Sequence, residues 1–236
     1  MAREKIFRFK QFSVVNDKTA MKVGTDGVLL GAWCDVNDAT RVLDVGTGCG
    51  VIAMMIVQRQ PLARVYAIDI DGPSVDEASF NFSQSPWRNR LEAVVADFNC
   101  FGSLEKFDLI VSNPPFFTNG ILPPDDQRNQ ARHTTTLNFS QLIGNASRML
   151  TPAGILALIT PADVEDEIRR LAVENGLWLR RFTSVIPVEG AAPKRILWEL
   201  SHSEAPCQSG TLVIADSNHN YTHDYIALTR DFYLKM

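Results

Sequence analysis

The chain has 236 residues, 45% of them hydrophobic, with 23 Lys and Arg against 27 Asp and Glu for a formal net charge of −4. That is enough apolar material for the core of one large α/β domain. The acidic balance excludes indiscriminate adhesion to nucleic acid, which depends on neutralising phosphates with Lys and Arg, so any such contact must be local. Local excesses do occur, in Arg3, Lys5, Arg8, Lys10, Lys18 and Lys22 and again in Arg180, Arg181, Lys194 and Arg195, although scattered solvated cations would read the same way.

The opening interleaves its cations with Phe7, Phe9 and Phe12 and holds no apolar run of signal-peptide or membrane-span length. A cytoplasmic protein with no membrane segment is expected. Up to about Gly31 the pattern reads as irregular. Short β-branched runs then alternate with longer helical ones, as in a parallel sheet flanked by helices. Strands are expected at Arg41–Val45, Arg64–Asp69, Leu91–Ala96, Phe107–Ser112 and Ile155–Ile159, with helices at Val51–Gln60, Pro73–Gln84, Ser140–Leu150 and Ala162–Asn175. Pro73 and Pro161 suit first helical turns and Gly176 a helix end. The stretch 117–137 is polar, contains prolines and is too long for an ordinary connection, which suggests a substrate loop. From Leu177 to Ser201 two β-rich runs could pair as an antiparallel hairpin. No linker or repeat interrupts this order, so residues 1–236 are expected to form one domain, with 1–35 as an N-terminal cap that contacts the cofactor.

Cys34, Cys49, Cys100 and Cys207 lie far apart with no C-x-x-C pair, which predicts reduced, mainly buried thiols rather than disulfides or zinc. His219 and His223 have helical ligand spacing, but the intervening Asn220-Tyr221-Thr222 reads as a turn or strand, and no metal site is expected.

The strongest local signal is Val42-Leu43-Asp44-Val45-Gly46-Thr47-Gly48-Cys49-Gly50, an apolar strand entering a glycine-rich turn and then a helix. The G-x-G-x-G spacing differs from the G-x-G-x-x-G that seats a pyrophosphate, and a carboxylate at Asp44 would repel phosphates. It would suit a ligand carrying an amino-acid moiety and a cationic sulfonium, which S-adenosylmethionine presents. Asp69 ends the second strand roughly twenty residues past the glycine turn, where an acidic side chain accepts ribose hydroxyls. Asp97 and Phe98 end the third, placed to take an adenine amino group and pack on its ring. Singly, each acid could be a helix N-cap or turn residue; at three successive strand ends that reading fails. These features resemble the class I methyltransferases, and the resemblance implies an α/β, Rossmann-like, mostly parallel seven-stranded sheet with an antiparallel C-terminal hairpin and helices on both faces.

After the fourth strand comes Asn113-Pro114-Pro115-Phe116. The prolines fix their own φ angles and keep the residues before them out of the helical region, so the turn is stiff. A planar amide or exocyclic amine, its lone pair delocalised, needs positioning more than deprotonation. The Asn113 side-chain oxygen and the Pro114 carbonyl can accept its hydrogen bonds, and Phe116 can stack on a base. The motif resembles that of N-methyltransferases acting on adenine, guanine or glutamine amides.

Together with Phe9-Lys10-Gln11-Phe12, the stretch Met21 to Trp33, Ala131-Arg132-His133-Thr134 and the ending Asp231 to Met236, it resembles the bacterial tRNA1(Val) (adenine-37-N6)-methyltransferases over nearly the full length. That resemblance implies S-adenosylmethionine as cofactor, a valine tRNA as partner, Asn113, Pro114, Pro115 and Phe116 as the catalytic motif, and a cofactor site of Gly24, Thr25, Asp26, Asp44, Gly46, Gly48, Gly50, Asp69, Asp97 and Phe98. RNA contacts by Arg132, Lys194 or Arg195 go further than the motif match does, and His133 reads equally as a substrate contact or a helix cap. The alternatives are a ribosomal RNA guanine-N2 methyltransferase, a protein-glutamine N5 methyltransferase and, outside enzymes, a cofactor-binding partner module. The glutamine enzymes usually carry an extra N-terminal helical domain and Tyr at the fourth motif position, and the intact Asn113 to Phe116 motif argues against the partner module.

Overall fold

The computed structural model describes residues 6–19, 21–103, 105–115 and 137–236. Its main sheet has eight strands: β3 (Arg41–Val45), β4 (Arg64–Asp69), β5 (Leu91–Val95), β6 (Phe107–Ser112), β7 (Leu150–Pro161), β8 (Trp178–Val188), β9 (Arg195–Ser201) and β10 (Gln208–Ala215). Their spatial order is β10-β8-β9-β7-β6-β3-β4-β5. The strands from β7 to β5 pair in parallel, while β9 runs antiparallel to both β7 and β8. The expected C-terminal hairpin is therefore present. The expected count of seven strands falls one short, because β10 extends the sheet in parallel beyond β8.

Consecutive residues of the central strands enter opposite cores. Val42, Leu109 and Ala157 join one apolar cluster; Leu43, Ile110 and Leu156 join the other. Strands buried on both faces read as continuous apolar runs, which is why their positions were legible. The first face is covered by α1 (Thr25–Trp33), α2 (Val51–Arg59) and α3 (Gly72–Gln84), the second by α4 (Phe139–Met149) and α5 (Glu165–Glu174). Helix starts follow capping chemistry. The Asp71 side chain accepts from Ser74 N at 3.0 Å, and Asn138 and Gln141 form a reciprocal capping box. Gly176 follows α5 with φ 67°, in the left-handed region expected of a helix end.

The opening departs from the irregular course expected of it. Ile6–Arg8 (β1) and Ser13–Val15 (β2) form a hairpin, and α1 begins at Thr25. The hairpin's aromatic residues settle against the chain's other end: Phe9 bridges to Tyr233, and Phe12 stacks on Phe9 and meets Trp87 edge-on. Helix α1 gives no amphipathic signal because every residue from Gly27 to Trp33 is buried. The cysteines are all free, but only Cys34 and Cys49 are buried; Cys100 and Cys207 are exposed. His219 occupies a turn with φ 64°, and His223 opens α6 (His223–Thr229) with its side chain 95% exposed.

Gly50 joins β3 to α2 with φ 83°, and a Cβ there would lie 2.3 Å from the Phe82 ring. Gly50→Ala is therefore expected to destabilise the fold by about 2–5 kcal/mol, the left-handed penalty plus overpacking. A denaturant midpoint unchanged from the parent would contradict this.

Candidate active site

The strand order reverses at β3. From it the chain steps outward through β4 to β5, then returns to place β6 on β3's other side, and such switch points open a crevice at the strand C-termini. Val45 pairs with Ser112, so the glycine turn and Asn113 leave adjacent strands at the same level, and the Ser112 hydroxyl locks the pair by donating to Val45 O at 2.8 Å.

The turn from Gly46 to Gly50 wraps around carboxylates. Gly46 N and Thr47 N donate to Ile68 O, and Gly48 N donates to Asp69 Oδ2 at 2.9 Å. Asp69 Oδ1 accepts from Asp71 N. Asp69 is half-buried, and a carboxylate offers about four lone-pair positions, so capacity remains for further donors. Asp44 is fully buried. Its Oδ2 accepts from the Thr47 hydroxyl at 2.7 Å while Oδ1 has no partner. Burial pushes the Asp44 carboxyl up to about 7, against the opposing pull of the Thr47 hydroxyl. Asp97, just past β5, accepts from Asn99 N, and Ala96 N continues the ladder to Asp69 O, so the two acids share one rim of the crevice. Phe98 is 4% exposed and packs in the second core; the side chain that does face outward there is Ile70, 51% exposed beside Asp69.

Asn113 faces this turn from β6. Its Oδ1 is buried and meets no partner among the described residues, while its Nδ2 donates to Met21 Sδ at 3.4 Å. The next residue, Pro114, is buried and Pro115 exposed. A Cβ on Gly27 would lie 3.9 Å from Asn113 Nδ2, so the start of α1 borders the same space. Gly24 is its N-cap, without a side-chain cap, and Asp26 in its first turn pairs with Arg195 at 2.8 Å. Phe116, Arg132, His133 and nearly all of the 117–137 stretch lie outside the described residues.

Sequence reasoning missed two residues on α3. Glu77 accepts from the backbone N–H groups of Asp17, Lys18 and Thr19. Asn81 exchanges hydrogen bonds with both backbone groups of Val15 and also donates to Cys49 O. Their signal was a carboxylate and an amide four residues apart on the face that also carries Ala78, which is buried.

The chemistry of the donor set fits S-adenosylmethionine. The crevice offers carboxylates and orphaned acceptor oxygens to a cation and to hydroxyl and amine donors, and open space beside Gly46. Fold and site define the class as a Rossmann-like S-adenosylmethionine-dependent methyltransferase, and residues 19–169 match the methyltransferase small domain family. Among solved structures, a predicted O-methyltransferase of Agrobacterium tumefaciens aligns at TM-score 0.69 with 20% identity, covering 88% of this chain and 96% of that one. A TehB-like methyltransferase of Corynebacterium glutamicum aligns at TM-score 0.51 with 20% identity, covering 76% and 89%; both likenesses speak for the fold.

Much closer in sequence are tRNA1(Val) (adenine(37)-N6)-methyltransferases. That of Phocaeicola vulgatus is 47% identical over 230 residues, 98% of each chain, and that of Aeromonas hydrophila 40% identical over 237 residues, all of each. The chain belongs to this tRNA1(Val) (adenine(37)-N6)-methyltransferase family.

The raised Asp44 carboxyl has a consequence for the cofactor-free protein. Between the ordinary value of 3.8 and about 7 the folded chain holds a proton that the unfolded chain has released. Stability should accordingly fall with rising pH across that window, by about 1 kcal/mol per pH unit, and level off above it. Asp44→Asn should flatten the decline, as denaturant midpoints compared from about pH 5 to pH 8 would reveal. Parallel curves for parent and variant would show that Asp44 ionises as it does in water.

Proposed function

We propose that this chain transfers the methyl group of S-adenosylmethionine to N6 of adenine-37 in tRNA1(Val), with Asn113, Pro114, Pro115 and Phe116 forming the amine site. Family membership supports the reaction and the substrate. The single observation behind the residue roles is the buried Asn113 Oδ1 beside the glycine turn, which has no partner among the described residues. Leaving a buried acceptor unsatisfied costs about 1–3 kcal/mol, a cost that a bound amine N–H removes.

Bound S-adenosylmethionine supplies an electrophilic methyl on a sulfonium. In this reading the chain's own residues do the positioning. Asn113 Oδ1 takes one N–H of the adenine amine and the Pro114 carbonyl takes the other, turning the lone pair out of the ring plane toward the cofactor. Methylation leaves one amine proton to be shed to water, so no strong base is required. Phe116 stacks on the flipped base. At the cofactor end, Asp69 accepts the ribose hydroxyls, Asp97 the adenine amine, and Asp44 faces the positively charged methionine end. Gly46 and Gly48 leave room for its backbone-close approach, Gly50 lets the turn pass beneath the Phe82 ring, and Gly24, Thr25 and Asp26 close the methionine side at the uncapped start of α1. Packing on the adenine ring is better assigned to exposed Ile70 than to Phe98, whose ring is sunk in the core. We place the whole chain in one domain, with 1–35 as the cap and 117–137 as the substrate loop, working in the cytoplasm where tRNA is modified.

Transfer of labelled methyl to total tRNA from cells lacking the enzyme, followed by nucleoside analysis, tests the substrate. N6-methyladenosine at the anticodon-adjacent adenine of a valine tRNA is expected; label confined to ribosomal RNA guanine or protein glutamine would place the target elsewhere. Asn113→Ala should cost about 10²–10³ in kcat while cofactor Kd stays within about twofold. Asp69→Ala should do the reverse, weakening cofactor at least about tenfold by loss of charged hydrogen bonds. Unchanged cofactor affinity in that variant would remove Asp69 from the ribose role.

A further inference from the structure

Helix α3 carries a carboxylate where an ordinary core would place an apolar residue. Glu77 is 3% exposed, and its carboxylate receives Asp17 N at 2.7 Å and Lys18 N at 2.8 Å on Oε2, and Thr19 N at 3.3 Å on Oε1. Three consecutive backbone N–H groups converging on one anion make a nest, and bonds of this kind to an ionised acceptor are among the stronger a protein forms. One turn along the same helix face, Asn81 is 2% exposed and grips Val15 through both its N–H and its C=O, each at 2.9 Å. The same amide donates to Cys49 O, within the glycine turn, at 2.9 Å. These two side chains thus tie residues 15–19 and the glycine turn to a single helix.

The tied segment leads straight to the site. The Thr19 methyl lies 3.9 Å from where a Cβ on Gly48 would stand, and the Thr19 hydroxyl is fixed by Asn16 at 2.6 Å. Lys22 staples the strap to itself through Asp17 O and Thr19 O. Met21 then meets Asn113, and Gly24 opens α1. We infer that Glu77 and Asn81 are positioning residues, which hold the N-terminal strap against the glycine turn as a preformed wall of the cofactor pocket. Neither belongs to the sequence motifs, and both are buried against the backbone they hold; they act through residues 15–19, 21 and 22. Much of the free energy of binding a flexible cofactor is spent on ordering the pocket, so fixing the strap beforehand lowers the cofactor dissociation constant and leaves the chemical step alone. The inference rests on the cofactor assignment made above.

The test combines calorimetric S-adenosylmethionine binding, hydrogen exchange on the cofactor-free protein, and steady-state kinetics for Glu77→Ala and Glu77→Gln. In Glu77→Ala the amides of Asp17, Lys18 and Thr19 should lose protection and cofactor Kd should rise about tenfold or more, with kcat at saturating cofactor within about threefold of the parent. Glu77→Gln should fall between parent and Ala, because one carbonyl oxygen at the Oε2 position still takes the Asp17 and Lys18 bonds. A role confined to stability would lower the melting temperature without this graded change in Kd. Exposed strap amides with parental Kd would overturn the inference, as would amides still protected in Glu77→Ala. Should Glu77→Ala fail to fold, Glu77→Gln decides alone: weakened binding with loss of protection at Thr19 supports the inference, and parental values for both reject it. A parent protein that does not bind S-adenosylmethionine would instead overturn the cofactor assignment itself.

Discussion

The parallel pairing of β3 with β6 is the constraint on which the rest depends. It is a long-range contact between strands that are separated in the chain by β4 and β5, which lie on β3's far side, and it creates the strand-order reversal. A crevice opens at that reversal because the helices that follow β3 and β6, α2 and α4, lie on opposite faces of the sheet. The glycine turn with its carboxylates comes from one side and the Asn113 amide from the other. With Val45 opposite Ser112, a register slip of one residue would send Asn113 to the other face of the sheet.

The crevice is also where the fold leaves hydrogen-bonding capacity unused. Among the described residues four buried side-chain atoms lack hydrogen-bond partners, Arg41 Nε, Gln58 Oε1, Asp44 Oδ1 and Asn113 Oδ1, and the last two border the crevice. Each of these two carries a desolvation cost in the free protein that a donor from a bound molecule can offset. Asp44 lies on β3 and Asn113 directly after its neighbour β6, so the two flank the reversal. Local instability of this kind is tolerated because both cores around it are well enclosed, with Leu29 and Met54 fully buried in one and Trp198 and Phe107 in the other.

The N-terminal hairpin and the C-terminal segment pack against each other, and Gln58 at the far end of α2 from the glycine turn donates to Asp231 O. Phe9 pairs with Tyr233, and Lys10 donates from its backbone N to Phe232 O at 2.8 Å, so the two chain ends fasten each other. This explains the alternation of Phe7, Phe9 and Phe12 with cations in the opening: the rings pack inward while the charges stay in water.

The sequence by itself determined the central strands and most of the helices around them, because β-branched runs buried on both faces and capped, proline-led helices carry their own local signals. It also determined the glycine turn, the acids at three strand ends and the Asn-Pro-Pro motif, whose residue types are dictated by backbone angle and by chemistry within a few positions. Only the tertiary structure decided that residues 6–15 form a hairpin strapped to α3, that β10 extends the sheet, that Phe98 is sunk in the core while Ile70 is exposed, and that Asn113 Oδ1 has no partner among the described residues. Each of these depends on contacts between residues far apart in the chain. A helix such as α1, buried on every side, has no polar face to mark it, and a carboxylate such as Glu77 looks like any surface acid until its three backbone partners arrive from some sixty residues away.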